Sequence, residues 1–366
     1  MSFVFPVPPE KICLLRLSAI GDVSHILPAL RIIQKNWPTT HITWIVGRTE
    51  HVLVGDIDNV DFIVYDKARG VRALTDLRRR LRGLSFDLLL NMQVSPRAAL
   101  AAFLVNAPIK LGFDRQRGKL LHNLSGNRRI PYSEKQHVLD SFLEFPRALG
   151  LQVADIRWDI QIPETAVEKT AEFIPKDVPF VVINPCSSVR ARNYRNWSVA
   201  SYAAVIDHVA TRYGLQTVLT GGPSSEEKKY AMAIARQAGT APVNLVGLTG
   251  LKDLLAVLQR AILVIAPDTG PAHLANAVGT PVIGLYATSN PLRTGPYCHR
   301  DLTVNCYPEA LMAETGKTVD QVRWGKRVRN PAAMELITTD MVIEKIDHYL
   351  CSRSNTPDDH QFPPDS

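Results

Sequence analysis

The feature that most constrains the fold of this chain is a regular alternation between short apolar runs and helix-length amphipathic segments. The apolar runs lie at 11–17, 42–46, 62–65, 86–92, 180–184, 217–220, 263–266 and 282–285. Strands that are separated by helix-length segments favour parallel sheets covered by helices on both faces. The sequence therefore predicts an α/β protein with two doubly wound, Rossmann-like domains that face each other across a cleft.

A polar stretch at 163–179 interrupts this alternation and predicts a domain boundary. We expect a first domain at 1–165 and a second at 166–350, because both sizes are ordinary for single domains. Residues 351–366 are polar and rich in proline, a composition that is typical of a disordered tail. The 366 residues are thus expected to form two domains and a tail.

Hydropathy and cysteine spacing exclude several classes of protein. No apolar stretch reaches the ~18 residues that a membrane-spanning helix needs. No lysine or arginine precedes Lys11, and Arg16 breaks the apolar run that follows, so we do not expect a signal peptide. The five cysteines form no Cys-x-x-Cys pair, which argues against a disulfide framework or a zinc site. We therefore predict a cytoplasmic protein with reduced thiols and no metal site.

The net charge of +7 is concentrated in two segments of the first half. The arginines at 78–82 lie on a predicted helix, where a solvated face is the simplest interpretation. The segment 110–129 contains glycine and asparagine and is predicted to be a loop rather than an amphipathic helix. Its cations are expected to attract phosphorylated small molecules or an anionic lipid surface. Aromatic residues for base stacking are nearly absent there, which argues against a nucleic-acid partner.

An apolar strand that runs into a helix start gives the strongest functional signal of the second half. Residues 262–267 are followed by Asp268-Thr-Gly-Pro-Ala-His273. Gly270 permits a close approach to the backbone, Thr269 offers a hydroxyl, and the helix dipole favours an anion. The pattern predicts a site for a phosphate or diphosphate. The alternative is that Asp268 and Thr269 only cap the helix.

The end of the first strand predicts a second site. There a glycine turn, Ile20-Gly-Asp22, delivers an aspartate to a helix start at the carboxyl edge of the sheet. Ligands of open α/β sheets bind at that edge. Asp22 is therefore a candidate general base, or alternatively a helix-capping residue that interacts with the helix dipole. His25, one turn further on, is expected to be a packed or hydrogen-bonded helper.

A third group of polar residues follows the strand at 180–184. Ser187, Ser188 and Arg195 resemble a second diphosphate clamp, because arginine offers paired donors to phosphate oxygens. Trp197 is interpreted as a core anchor at a helix start.

Two local patterns have structural interpretations. Ser224 followed by Glu227 predicts a capping box at the start of a helix. The triplet Asp56-Ile-Asp58 is interpreted as a surface turn rather than a metal site. Neither pattern is therefore expected to take part in chemistry.

The chain carries neither G-x-G-x-x-G after its first strand nor G-x-x-x-x-G-K-[ST], which excludes dehydrogenase and P-loop interpretations. Residues 17–30 instead resemble the opening signature of the bacterial heptosyltransferase family, glycosyltransferase family 9 of lipopolysaccharide core biosynthesis. Residues 268–286 resemble the nucleotide-sugar signature of that family. Asn184-Pro185 with Arg195-Asn-Trp197 fits the clamp between the two motifs. The resemblance covers most of residues 11–350.

The resemblance implies a fold of the GT-B type, with the acceptor bound by the first domain and the nucleotide sugar by the second. It implies inverting transfer of a heptose from ADP-heptose to a phosphorylated, lipid A-linked core acceptor at the inner face of the membrane, without a metal or other cofactor. Asp22 matches the catalytic base. The expected donor-binding residues are Ser187, Ser188, Arg195, Asp268, Thr269, Gly270 and His273. The expected acceptor-binding residues are Ser18, Gly21, His25, Arg115, Arg117 and Lys119.

The chemistry of the implied reaction agrees with this assignment. A nucleoside diphosphate leaves readily, so the site needs positive charge on the departing oxygens and one base for the acceptor hydroxyl. Arg195 stands where the family commonly has a lysine, which keeps the charge but changes its geometry and leaves the exact donor open. Two alternatives remain, a sugar-nucleotide epimerase of the same architecture and a non-catalytic sugar-nucleotide-binding protein.

Overall fold

The computed structural model describes Phe5, residues 7–187 and residues 194–354. The described residues divide into two compact units. The first comprises the residues up to Thr170 together with Gly250–Ala256, and the second comprises Ala171–Thr249 and the residues from Val257 onward. None of the described helices is both long enough and apolar enough to cross a membrane.

The first unit is built on a parallel sheet. Its strands are β1 (Lys11–Arg16), β2 (His41–Gly47), β3 (Val60–Tyr65), β4 (Leu88–Asn91), β5 (Ile109–Gly112) and β6 (Arg128–Arg129). Their spatial order is β3-β2-β1-β4-β5-β6, and every neighbouring pair is parallel. The order reverses between β1 and β4, so the loops that follow these two strands diverge at the carboxyl edge of the sheet. This is the point at which ligands bind in folds of this class.

Helices cover both faces of this sheet. They are α1 (Ile20–Asn36), α2 (Arg48–Val54), α3 (Arg72–Arg80), α4 (Pro96–Leu104), α5 (Leu120–Leu124), α6 (Val138–Ala148) and, next along the chain, α7 (Glu164–Phe173). Cys13 and Leu15 of β1 share one core cluster with Leu77 of α3 and Ala101 of α4. Leu14 points to the opposite face because side chains alternate along a strand. Helix α1 packs against α6.

The second unit repeats this topology. Its strands are β7 (Phe180–Ile183), β8 (Gln216–Leu219), β9 (Val243–Asn244), β10 (Leu263–Pro267), β11 (Val282–Tyr286) and β12 (Val304–Asn305). They lie in the order β12-β11-β10-β7-β8-β9, again all parallel, with the reversal between β7 and β10. The later helices are α8 (Val199–Tyr213), α9 (Ser225–Gln237), α10 (Leu251–Arg260), α11 (Gly270–Ala277), α12 (Pro291–Thr294), α13 (Tyr307–Thr315) and α14 (Thr339–Ser354).

Trp197 anchors the core of the second unit, as the sequence predicts. Its side chain is buried, and its ring packs edge to face on Tyr202 with the centroids 5.1 Å apart. The indole Nε1 donates a hydrogen bond to the carbonyl oxygen of Ile337 at 2.8 Å. The buried indole therefore combines a large apolar contact area with a satisfied polar atom.

The prediction of two doubly wound α/β domains is confirmed by the two sheets. The expected cleft between the domains and the boundary at residue 165 stay predictions. The expectation of a loop at 110–129 was wrong, because the segment contains the end of β5, α5 and β6. Strands of four and two residues and a helix of five residues are too short to show a hydrophobic period.

The predicted start of the disordered tail was also wrong. Helix α14 continues to Ser354, so residues 351–354 are helical rather than part of a tail. The polar side chains of this last turn concealed it, since they are as common in an exposed helix end as in a tail. Residues 355–366 lie outside the described part of the chain.

The predicted cap by Ser224 at the start of α9 is confirmed, but the reciprocal half of a capping box is not, because the Glu227 carboxylate bonds the backbone N–H of Gly222 rather than that of Ser224. The Ser224 hydroxyl oxygen accepts a hydrogen bond from the backbone N–H of Glu227 at 3.2 Å. The Glu227 carboxylate accepts bonds from the backbone N–H of Gly222 at 2.6 Å and from the Ser224 hydroxyl at 3.1 Å. Two backbone donors at the helix start are thus satisfied.

Replacing Ser224 should measurably destabilise the second unit. We expect Ser224→Ala to lower the free energy of unfolding by about 1 kcal/mol, because the cap of α9 is lost. Urea unfolding followed by circular dichroism measures this. The control is Ser225→Ala, the same change at the exposed neighbouring residue. Equal unfolding midpoints for the two variants would contradict the assigned role of Ser224.

Candidate active site

The carboxylate of Asp22 is held at the carboxyl edge of the first sheet. Strand β1 is buried from Ile12 to its last residue, Arg16, and Asp22 is the third residue of α1. Arg16 Nη2 lies 2.6 Å from Asp22 Oδ2, and the backbone N–H of Ala19 donates to the same oxygen at 3.4 Å. Within the described structure Oδ1 has no hydrogen-bond partner, and 40% of the side chain is exposed. One oxygen is therefore held by protein groups, whereas the other, on a partly exposed side chain, has no partner among the described residues.

Arg16 is itself immobilised. Its Nη1 donates to the carbonyl oxygen of Met92 at 2.6 Å, and its guanidinium lies 5.2 Å from the centroid of the Phe142 ring. Arg16 was not among the predicted site residues. The sequence did contain a signal for this residue. Arg16 is a cation at the end of a buried apolar strand, and such a charge needs a partner there.

Three strand ends meet beside this carboxylate. Gln93, after β4, accepts a bond from the backbone N–H of Leu17 at 2.7 Å, and its side-chain nitrogen donates to Ser18 Oγ at 3.4 Å. His122 Nε2 accepts from the backbone N–H of Phe113, after β5, at 3.0 Å. His122 Nδ1 lies 3.2 Å from the Gln93 carbonyl oxygen and therefore carries the proton. Burial lowers the pKa of His122, which favours this neutral form.

Three of the predicted acceptor residues lie at the start of α1. Ser18 and the buried Gly21 lie close to Asp22 along the chain. His25 is 2% exposed and packs its ring edge to face against His137 at 5.6 Å. The structure thus brings Ser18 and Gly21 to the carboxylate but places His25 in the interior.

The three predicted cations of the segment 110–129 have different environments. Arg117 pairs with Asp114, and its guanidinium also donates to Gln136 and to the carbonyl oxygen of Pro131. These contacts commit Arg117 to the local structure of the segment. Arg115 and Lys119 are exposed and lie on the surface.

A second polar cluster lies at the carboxyl edge of the second sheet, around Asp268. Arg195 Nη1 donates to the carbonyl oxygen of Asp268 at 2.7 Å and lies 3.6 Å from its Oδ2. The Ser289 hydroxyl donates to the same Oδ2 at 2.7 Å. His273 Nε2 lies 3.7 Å from Oδ1. Residues that follow β7, β10 and β11 are thus joined through one buried carboxylate.

The charge of Asp268 is stabilised by this cluster. Burial alone would raise the pKa of Asp268, but its interaction with His273 and the charge of Arg195 outweigh this effect. The pKa of Asp268 is therefore held well below its usual range. Both carboxylate oxygens lie beside protein partners, so Asp268 holds Arg195 in position.

The start of α11 carries a buried hydroxyl without a partner. Thr269 precedes the helix in an extended conformation, and its side chain makes no capping hydrogen bond. Its Oγ1 is buried and lacks a hydrogen-bond partner. The capping alternative was therefore wrong for Thr269, because its hydroxyl makes no hydrogen bond to the helix amides. A buried donor left unpaired beside a helix start is the arrangement that an anionic ligand completes.

The remaining donor-side predictions fall on both described and undescribed residues. Ser187 is buried, and its backbone N–H donates to the Asn196 side chain at 3.1 Å. Ser188 lies outside the described residues. Ser289 was not among the predicted site residues, although it is a hydroxyl residue that follows an apolar strand, which is the same signal that marked Ser187.

The described residues place no three His, Cys, Asp or Glu side chains where they could hold a metal ion. The two carboxylates of the Asp56-Ile-Asp58 triplet have protein partners. Lys252 Nζ lies 2.7 Å from Asp56 Oδ2, and the Gln161 side chain donates to Asp58 at 3.1 Å. These contacts fit the surface-turn interpretation.

Comparisons with known proteins give one family. Residues 74–321 match the family model described as glycosyltransferase family 9 (heptosyltransferase). The chain is 36% identical over 340 residues to the lipopolysaccharide core heptosyltransferase OpsX of Haemophilus influenzae, which covers 93% of this chain and 97% of the relative. It is 25% identical to lipopolysaccharide heptosyltransferase 3 of Escherichia coli, over 91% of this chain and 97% of the relative.

Solved structures match the fold along nearly the whole chain. A glycosyl transferase of family 9 from Veillonella parvula superposes with a TM-score of 0.78 at 22% identity, covering 96% of this chain and all of that one. The E. coli heptosyltransferase WaaC, solved with ADP, gives 0.71 at 20% identity, with 93% and 99% covered. These similarities confirm the predicted fold.

Removing the charge of Asp268 should change the acid stability of the protein. Its folded pKa lies below the unfolded value of about 3.9, so the carboxylate stabilises the folded state above that pH and loses this contribution as the pH falls toward the folded pKa. We expect Asp268→Asn to cost on the order of 3 kcal/mol at pH 7. The difference from wild type should shrink between about pH 5 and pH 2.

Urea unfolding of both proteins across this pH range measures the difference. Asp301→Asn, the same change at an exposed site of the second unit, is the control and should leave the pH dependence unchanged. A difference for Asp268→Asn that is constant with pH would contradict the assigned charge state.

Proposed function

This chain belongs to glycosyltransferase family 9, the heptosyltransferases, and we propose that it transfers a heptose from ADP-heptose to a phosphorylated lipopolysaccharide core acceptor. The chain is a glycosyltransferase by family. The observation that carries the proposed chemistry is the geometry of Asp22, whose Oδ2 is held by Arg16 while Oδ1 has no hydrogen-bond partner among the described residues. The name of the relative that is 36% identical, a lipopolysaccharide core heptosyltransferase, supports the choice of sugar and acceptor.

The proposed base is Asp22. Its Oδ1 takes the proton of the acceptor hydroxyl as that oxygen attacks the anomeric carbon of the donor. The bond from this carbon to the diphosphate breaks in the same displacement, so the configuration inverts and ADP leaves. Arg16 keeps the carboxylate oriented, which a general base requires.

The proposed diphosphate site is the start of α11. Thr269 donates its unpartnered hydroxyl, and the backbone N–H groups of Gly270 and Ala272 in the first turn of α11 bind the same anion. Arg195 has committed Nη1 to Asp268, which leaves Nη2 and Nε for the phosphate oxygens. These groups stabilise the negative charge that develops on the leaving ADP, so no general acid is needed.

The proposed acceptor is linked to lipid A, which places the enzyme in the cytoplasm with peripheral contact at the inner face of the membrane. Ser18 and Gly21 are the acceptor-side residues that lie beside Asp22, and the exposed Arg115 and Lys119 are proposed to meet acceptor phosphates. A nucleic-acid partner is not part of the proposal.

Replacing Asp22 should remove catalysis and leave donor binding. We expect Asp22→Asn to lower the rate of heptose transfer by about 10²- to 10⁴-fold, the usual contribution of a general base. ADP release in the presence of a heptose-deficient core acceptor measures the rate, and calorimetry with ADP-heptose measures the affinity, which should stay within about twofold. Asp61→Asn, an exposed carboxylate of the same unit, is the matched control.

The same assay separates the alternatives. Isomerised donor after incubation without acceptor would favour the epimerase. Tight donor binding without transfer to any core acceptor would favour the non-catalytic protein. An Asp22→Asn variant that keeps more than a tenth of the wild-type rate would remove Asp22 from the mechanism.

Replacing Thr269 should weaken donor binding without harming the fold. Thr269→Val keeps the shape but removes the buried hydroxyl, which has no partner to lose. We expect the affinity for ADP-heptose to fall about tenfold, as for one hydrogen bond to a charged group, and the stability of the free protein to stay equal or rise. Titration calorimetry and thermal unfolding give the two numbers, with the exposed Thr240→Val as control. Unchanged affinity would place the diphosphate elsewhere.

A further inference from the structure

One segment of the first unit, residues 95–132, combines positive charge with exposed apolar side chains, and we term it the basic apolar segment. It contains seven lysines and arginines and a single acidic residue, Asp114, so seven minus one gives it +6 of the chain's net +7. It also holds six of the sixteen large apolar side chains that are exposed among the described residues. These six are Leu100, Phe103, Leu120, Leu121, Leu124 and Tyr132.

The apolar side chains are presented by two helices that pack against each other, α4 and α5. Leu100 and Phe103 are three residues apart and share one face of α4, opposite the buried Ala98 and Ala102. In α5 the exposure is greater, since Leu120 is 74% and Leu124 is 63% exposed. These side chains contribute little to the core of the unit.

The cations of the segment have few acidic partners within it. Asp114 is buried and paired with Arg117, so its charge is already neutralised. Lys110 and Arg129 donate to the carbonyl oxygens of Ala102 in α4 and of Asn123 in α5, at 2.9 and 2.6 Å. The positive charge is thereby fixed to the same two helices that expose the leucines.

We propose that the basic apolar segment docks on an anionic lipid bilayer, with the leucines of α5 in the headgroup boundary and the cations on lipid phosphates. Apolar side chains that are exposed together mark an interaction surface rather than ordinary solvated surface. Leucines surrounded by lysine and arginine are typical of an interfacial membrane contact, and an anionic surface complements the net charge of the segment.

The surface lies next to the acceptor side of the candidate active site. Helix α5 carries His122, whose ring contacts the Gln93 carbonyl oxygen at the carboxyl edge of the sheet. Docking of α5 therefore brings that edge to the bilayer, where a lipid-linked acceptor is anchored. This orientation rests on the proposed function, whereas lipid binding by the segment does not.

Vesicle binding tests the proposal directly. We expect the full-length protein to co-sediment with vesicles that contain phosphatidylglycerol, much less with vesicles of phosphatidylcholine alone, and less at high salt. The double variant Leu120→Ser/Leu124→Ser should bind the anionic vesicles at least about tenfold more weakly, because two apolar contacts are lost. The matched control is Leu84→Ser/Leu248→Ser, at leucines that are 43% and 52% exposed elsewhere.

The activity assay keeps the two proposals separate. Transfer to a deacylated, water-soluble core acceptor should be equal for wild type and the double variant, which also shows that the variant is folded. The membrane-docking proposal is overturned if active wild-type protein does not bind anionic vesicles, or if the double variant binds them as well as wild type does. Either result leaves the proposed function intact. A wild-type dimer that the double variant converts to a monomer, with vesicle binding unchanged, assigns the surface to a second copy and overturns the proposal as well.

Discussion

The reversal of strand order beside the first strand of each sheet is the constraint on which the rest of the structure depends. Where the strand order reverses, the loops after two adjacent parallel strands run to opposite sides of the sheet. They leave a crevice at the carboxyl edge in which a ligand can bind. In the first unit this point lies between β1 and β4, beside Asp22, and in the second between β7 and β10, beside Thr269. Both candidate sites follow from topology before any particular side chain is considered.

Two aspartates illustrate how environment divides roles between identical side chains. Asp268 is buried, and its carboxylate lies beside Ser289, Arg195 and His273, so it holds Arg195 in place. Asp22 is 40% exposed and uses only one oxygen. The first is a structural anion and the second is equipped to act as a base. This division depends on neighbours that are distant in the sequence.

The sequence predicted the strands and helices that show a regular hydrophobic pattern and missed those that are too short to show one. Buried strands such as β1 and β10 are continuous apolar runs, and the helices between them show an amphipathic pattern, so their positions were foreseeable. The five residues of α5 are held by the contacts of His122 to Gln93 and Phe113, which follow β4 and β5, and no local pattern reveals these contacts. The site residues Arg16 and Ser289 could not be predicted for the same reason, because only tertiary contacts bring them to Asp22 and Asp268.

A crystal structure of the protein with ADP-heptose bound tests the central claim most directly. The account predicts the diphosphate at the carboxyl edge of β10, with a phosphate oxygen within ~3.2 Å of the Thr269 hydroxyl and of a free Arg195 nitrogen. A diphosphate bound away from the start of α11, with the Thr269 hydroxyl still unpartnered, would contradict it.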